Sequence, residues 1–324
     1  VPYIPVRPDR SGGRRLKSAS LGQSALAAPP EAAALGEVGS RTSAYFSLTK
    51  PRLVLLVVIT VGVGFLLGAR GSAHPTTLLA TLLGSAMTAG GASAMNMYLE
   101  RGRDGLMRRT RRRALPTGRV SPLEALVVSL ALVAGGTLLL LACAGATAAG
   151  VALATFLLYA YVYTPMKPRS TLNTAVGAIP GALPPVIGWS AATGTLSVEG
   201  WTLFLIVFLW QFPHFLAIAW IHRKDYELGG MKMLPGVDPT GVMTGRQAAL
   251  HALALIPAAL LPTVVGLAGP VYFLGALALG IYYLAASVRF WADVNDATAR
   301  KLLGASFVYL PAVLLLLLLN PLPA

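Results

Sequence analysis

The sequence predicts an all-α polytopic membrane protein of nine transmembrane helices, and three observations carry that reading. Only 12% of its 324 residues are charged and 55% are hydrophobic, whereas a soluble domain carries about a quarter charged residues. Apolar runs near the ~20 residues needed to cross ~30 Å of hydrocarbon recur along the chain. The 26 Lys and Arg residues gather in alternate connections between those runs. On a soluble chain a net charge of +14 would point to nucleic acid. Its placement between apolar runs points to membrane topology instead, and no nucleic-acid partner is expected.

Residues 1–42 come first. "RPDRSGGRRLKSAS" is basic, small and polar, and "ALAAPPEAAALGE" lacks apolar periodicity, so a disordered basic tail is expected. Its Arg/Ser/Ala bias resembles a transit peptide and a basic cytoplasmic tail alike. The membrane domain is expected over 43–324, with helices at 50–69, 76–99, 123–142, 147–163, 173–192, 200–221, 247–267, 270–288 and 302–319. Ser121-Pro122 marks the start of the third, Gly269-Pro270 the start of the eighth, and Asn320-Pro321 the end of the ninth. The short "CAGA" link predicts an antiparallel hairpin of the third and fourth. The single cysteine, Cys143, excludes an intrachain disulfide and reads as a small packing residue. "GAIPGALPPVIG" interrupts the fifth helix, and its small residues allow close packing or a curve around a flat substrate.

Counting basic residues orients the bundle. Eight lie in the tail up to Arg52 and eight after the second helix. Two, four and three follow helices four, six and eight, and Arg70 alone lies on the other side. The positive-inside rule assigns the rich side to the cytoplasm or the mitochondrial matrix. That puts the N-terminus inside and the uncharged "NPLPA" outside. A multi-pass protein of a bacterial inner membrane is favoured over a mitochondrial one, because the tail is not clearly amphipathic.

The densest chemistry lies at Asn96 to Leu115, "NMYLERGRDGLMRRTRRRAL". Asn96, Glu100 and Asp104 stand at i, i+4, i+8, so a continuing helix puts them on one face over about 12 Å. Ionisable groups at a membrane edge are costly and usually functional. Oxygen donors with incomplete coordination suit Mg²⁺, which completes its shell with water and substrate phosphates; the arginines would grip phosphate oxygens bidentately. The same stretch also reads as an ordinary helix end with acid–arginine pairs and a topogenic cluster. A second acidic site on the same side, "HRKDYELGGMKMLPG" with Arg223, Lys224 and Asp225, tips the reading toward a diphosphate–Mg²⁺ cage. Lys167, Arg169 and Asn173 supply a third element beside it.

Together these residues resemble the UbiA superfamily of intramembrane prenyltransferases, and within it the branch that farnesylates heme. The first acidic motif of the family is similar to Asn96, Glu100, Asp104, Met107, Arg109, Thr110, Arg113 and Leu115. Glu100 replaces an aspartate and Ala114 a proline. The heme branch's second element is similar to Tyr163, Thr164, Lys167, Asn173, Gly177, Gly181, Ala182, Pro184, Pro185, Gly188 and Trp189. "WQFPHF" stands at Trp210 to Phe215, and "DY…MLP" at Asp225, Tyr226, Met233, Leu234 and Pro235. Quinone-type relatives carry an aspartate where this chain has Gly229.

The resemblance implies a nine-helix UbiA-like bundle whose central cavity opens to the cytoplasmic side and the bilayer. It implies heme B and farnesyl diphosphate as substrates, and heme O and pyrophosphate as products. Membrane lipid surrounds the bundle, and heme A synthase or a terminal oxidase would receive the product. On this reading Asn96, Glu100, Asp104 and Asp225 hold Mg²⁺, with Asp104, Asp225 and Lys167 as the catalytic groups. Arg109, Arg113, Lys167, Arg223 and Lys224 bind the diphosphate. His214, Tyr163 and Asn173 are candidates for heme contact.

A lone histidine on an apolar helix is commonly a hydrogen-bonded core residue; the implied heme brings axial ligation or propionate contact by His214 level with that. His222 lies among loop cations near phosphate, whereas His74 and His251 look unremarkable. Tyr159, Tyr161 and Tyr163 read as interfacial belt residues, and Asp293 and Asp296 as capping, solvated acids. A UbiA enzyme with an aromatic acceptor is the nearest rival. A secondary transporter is the rival of another class, although the chain shows no internal repeat and its helix centres are nearly free of acids.

Overall fold

The computed structural model describes residues 41–322. The expected tail, 1–42, lies outside them except for its last two residues, which are helical. Residues 41–48 form α1, a short helix that buries Ala44 and Leu48 against Ala94, Met97 and the 114–125 segment while Phe46 stays exposed. Then come α2 (Pro51–Ala69), α3 (Pro75–Asp104), α4 (Pro122–Cys143), α5 (Ala146–Met166), α6 (Asn173–Thr193) and α7 (Val198–Ile221). Two short helices, α8 (Arg223–Leu228) and α9 (Leu234–Val237), precede α10 (Val242–Val264), α11 (Pro270–Ala292) and α12 (Asp296–Leu319). Nine of these are long and apolar enough to span a membrane, among the described residues, as the hydropathy pattern predicts.

Local chemistry sets the helix ends. Pro122 occupies the first turn of α4 behind a reciprocal cap, in which Glu124 N donates to Ser121 Oγ and Ser121 N to Glu124 Oε2. Two helix starts differ from expectation by five residues or more, and α3 runs to Asp104 rather than 99. Helix α10 starts five residues early, because Gly241 takes φ +75° and Asp238 accepts bonds from Thr244 N and Oγ1. Helix α12 starts at Asp296 rather than 302, since Asn295 Oδ1 accepts from the Ala297 and Thr298 backbone.

Packing follows small residues. Helix α3 lies close on α4, where Ser129 Oγ donates to the Gly91 carbonyl at 2.7 Å. Helix α2 crosses the proline break of α6 so tightly that a Cβ on Gly64 would strike the Pro185 carbonyl, and one on Gly188 that of Val61. The "GAIPGALPPVIG" run therefore serves close packing, the first of its two readings. Helices α7, α10, α11 and α12 share a second core around Tyr272, Tyr283, Phe290 and Tyr309. Many leucines, Leu56, Leu138, Leu274 and Leu315 among them, stay exposed, as helix faces toward lipid do. Cys143 corrects the sequence reading: it is exposed at the end of α4 rather than packed.

Candidate active site

Helix α3 continues unbroken to Asp104, and that continuity builds the site. Asn96, Glu100 and Asp104 fall on one face, and all three are buried. Each meets a cation from a different element. Lys50 Nζ donates to Asn96 Oδ1 at 2.8 Å, Lys167 Nζ to Glu100 Oε1 at 2.7 Å, and Arg113 Nη1 lies 2.9 and 2.8 Å from the two Asp104 oxygens. Asn96 also donates to Thr164 Oγ1 at 3.2 Å, which fastens α3 to the end of α5.

Lys50 was not singled out by the sequence reading. It sits in the turn between α1 and α2 with φ +49°, a backbone conformation that a side chain makes unfavourable. That turn points its ammonium inward to the row. Burial first, then Arg113 and Lys167, push it down to about 7 against the pull of Glu100 and Asp104. Burial alone would also lower Lys167; Tyr163 and Glu100 outweigh it and hold Lys167 above its ordinary value.

Helix α5 widens into a π-helical turn over Leu158–Tyr163, an irregularity frequent at functional sites. Beyond it, Lys167 Nζ lies 4.6 Å from the Tyr163 ring centre, and the Tyr159 and Tyr163 rings are 5.5 Å apart. Tyr161 faces outward, 51% exposed. Of the three tyrosines read as a belt, then, two join the inner cluster: Tyr159, Tyr163 and Lys167 repeat at i, i+4, i+8.

Asp225 is brought to the same end. From α8 its Oδ1 accepts from Arg108 N at 2.8 Å and its Oδ2 from Arg109 N at 3.2 Å. It thus clasps the loop that carries Arg113 to Asp104. Arg109 reaches back to the Tyr226 hydroxyl at 3.4 Å and lies over its ring. His222 beside them is held below its ordinary value by burial, then by Arg109, against Asp225. Gly229 packs on Met107, whose Cγ and Sδ would stand 2.9 Å from an added Cβ.

Other expected residues lie apart from the row. The Arg223 guanidinium bonds to Asp296 and the Trp220 carbonyl, both at 2.7 Å, and Lys224 is exposed. Asn173 is fully buried and gives both amide hydrogens to the carbonyls of Ser170 and Lys232. It clasps two loops instead of presenting itself to a ligand. His214, within α7, bonds through Nδ1 to Ser306 Oγ at 2.8 Å. His251 bonds to its own helix at the Gln247 carbonyl.

No group of three His, Cys, Asp or Glu side chains stands ready to hold a metal among the described residues. The donors along α3 are oxygens of the kind Mg²⁺ takes, and three of them already face cations. Oxygen donors opposed by cations have the chemistry to suit a metal ion that arrives with an anion.

The fold is thus a bundle of helices long and apolar enough to span a membrane, with a row of oxygen donors opposed to cations at its arginine-rich end. The chain belongs to the UbiA prenyltransferase family, whose model matches residues 57–322, and it is a multi-pass membrane prenyltransferase. It is 41% identical over 285 residues to the protoheme IX farnesyltransferase of Solibacter usitatus, covering 85% of this chain and 98% of that one. It is also 41% identical to the protoheme IX farnesyltransferase of Synechococcus elongatus over 279 residues, 85% and 87% of the two chains. In fold it is similar to a digeranylgeranylglyceryl phosphate synthase, with a TM-score of 0.74 and 17% identity over 86% of this chain and 98% of the other. It is similar as well to a UbiA homolog from Archaeoglobus fulgidus bound to GPP and Mg²⁺, with a TM-score of 0.59 and 15% identity over 85% and 99%.

Proposed function

We propose that this protein transfers the farnesyl group of farnesyl diphosphate to a vinyl group of heme B, giving heme O and pyrophosphate. The likeness to protoheme IX farnesyltransferases over most of the chain supports the acceptor and donor. The opposition of Asn96, Glu100 and Asp104 to Lys50, Lys167 and Arg113 supports the diphosphate's location, and it is the observation on which the mechanism rests.

In this reaction the C1–O bond of farnesyl diphosphate breaks and the pair of electrons leaves with pyrophosphate. The vinyl terminus bonds to C1, water adds to the carbon beside the porphyrin, and its proton is released. No protein nucleophile is needed. The barrier is charge building on the leaving group, which fixed cations stabilise best in a site closed to water. Lys50, Lys167, Arg113 and Arg109 turn from their present partners to phosphate oxygens. Asn96, Glu100, Asp104 and Asp225 would hold Mg²⁺, which supplies further neutralisation of the diphosphate when bound. Tyr159 and Tyr163 line the same cluster with ring faces that favour a neighbouring cation.

Heme B is placed against α7, with His214 as its iron ligand. His214 lies eight residues from His222 at the end of α7, and Asn96 eight residues from Asp104 at the end of α3. Both are therefore about 12 Å from their helix ends. By the positive-inside rule the arginine-rich end faces the cytoplasm of a bacterial inner membrane. Heme A synthase or a terminal oxidase is the expected recipient of heme O.

The test is reconstitution of the purified chain in liposomes with heme B, farnesyl diphosphate and Mg²⁺, with heme products read by mass spectrometry. Heme O is expected. Its absence alongside prenylation of a phenolic acceptor would assign the chain to another branch of the family.

A further inference from the structure

The hydrogen bonds around His214 determine which of its ring nitrogens is free. Ser306 on α12 is fully buried, and its hydroxyl has a single proton to give. The Leu303 carbonyl, 2.6 Å away, can only accept and takes that proton. Ser306 Oγ therefore acts as acceptor toward the imidazole, 2.8 Å from Nδ1, and Nδ1 carries the ring's hydrogen.

The neutral ring then has an unprotonated Nε2. Among the described residues Nε2 has no hydrogen-bond partner, and it is not one of the enclosed side-chain atoms left unsatisfied. The ring cannot easily turn away. Trp210 stacks on it at 4.8 Å and 22°, Phe307 meets its edge at 5.4 Å and 78°, and the Trp210 indole is itself tied to the Ser306 carbonyl at 3.0 Å.

We infer that Ser306 is a positioning residue that fixes His214 as the Nδ1–H tautomer and presents Nε2 to the iron of the acceptor porphyrin. A histidine that ligates a metal ordinarily donates its other N–H to such a partner, and loss of the partner weakens binding by about 10- to 100-fold. The inference rests on heme B being the substrate and deepens that proposal. It adds a residue on a second helix, so that the iron is aimed by α7 and α12 together.

The test uses the full chain labelled with ¹⁵N-histidine, which contains only four histidines, with His214 assigned through His214→Ala. In the heme-free protein the His214 signals are expected to show a protonated Nδ1 and a pyridine-like Nε2. Ser306→Ala should mix the tautomers and Ser306→Thr should preserve them. On titration with heme B, Ser306→Ala is expected to bind at least about tenfold more weakly with a shifted Soret band, and Ser306→Thr to stay near wild type. A protonated Nε2 in the wild type would overturn the inference. So would unchanged heme affinity and spectrum in Ser306→Ala where His214→Ala loses both. If His214→Ala keeps the wild-type heme spectrum, the ligand role falls and that of Ser306 with it. Heme O formation by that variant would leave the farnesyl transfer itself standing.

Discussion

Lys50 Nζ lies 2.8 Å from Asn96 Oδ1, so a residue in the turn before α2 closes the acidic row of α3. Held at about 7, with burial the largest cause, this ammonium titrates in the working range. A depressed lysine is neutral in the fold above pH 7. Its charging costs stability as pH falls from the unfolded value near 10.4 to 7, and the cost is constant below that.

Substrate reverses the sign. A diphosphate beside Lys50 raises its pKa, so binding above pH 7 draws a proton onto it. The KM for farnesyl diphosphate is expected to be flat below pH 7 and to rise above it, toward a limit of about tenfold per unit. In Lys50→Arg, charged throughout, that slope should vanish. Steady-state kinetics from pH 6 to 9 on both proteins decide it; equal slopes would remove Lys50 from the diphosphate site.

The Lys167–Glu100 pair, at 2.7 Å, is nearly enclosed, its side chains 13% and 7% exposed. Removing one partner of a buried pair costs about 3–5 kcal/mol, because the other is left uncompensated. Lys167→Met should therefore lower the apparent Tm strongly in detergent. The double variant Lys167→Met/Glu100→Gln should recover most of that loss while remaining inactive. Recovery of turnover along with Tm would show that the pair is structural only.

Much of the geometry of this cluster could be read from the chain, and what escaped was what distant segments bring. The spacing of Asn96, Glu100 and Asp104 required only that α3 continue past the membrane edge, which it does. Lys50 escaped because "TKPRL" reads as a topogenic flank; its role depends on an αL turn and on a helix 46 residues away. Asn173 and Arg223 carried suitable chemistry, yet folding directs them to Lys232 and Asp296. The start of α12 was legible in principle, since Asn295 and Thr298 form a capping box. The polar first turn hid it from a reading guided by hydropathy.

Asp225 reaches the loop after α3 through two backbone N–H groups, those of Arg108 and Arg109. Those bonds to a carboxylate are charge-assisted, and Ala at this position leaves both exposed donors to water. Asp225→Ala should release the 105–113 loop, so that trypsin cuts among Arg108 to Arg113 several-fold faster. Turnover should fall about 100-fold. If the cleavage rate equals that of wild type, the clasp does not order the loop.

The structure supplies a steric reason for a glycine at position 229. Its Cβ position is 2.9 Å from both Cγ and Sδ of Met107, which is buried with Met231 and Met233. An added side chain must push Met107 aside, and overpacking of this kind costs about 1–3 kcal/mol. Methionine is adaptable, so the lower part of that range is expected for Gly229→Ala and more for Gly229→Asp, whose carboxylate enters an apolar cluster. Pairing either change with Met107→Ala should restore part of the lost Tm, because the obstructing atoms are gone. Heme O synthesis should fall in Gly229→Asp, because the displaced Met107 adjoins the 108–109 backbone that Asp225 holds. Melting curves of Met107→Ala, the two Gly229 variants and the two doubles, read against wild type as two double-mutant cycles, measure the coupling. Additive losses would show that Met107 is not what keeps this position a glycine.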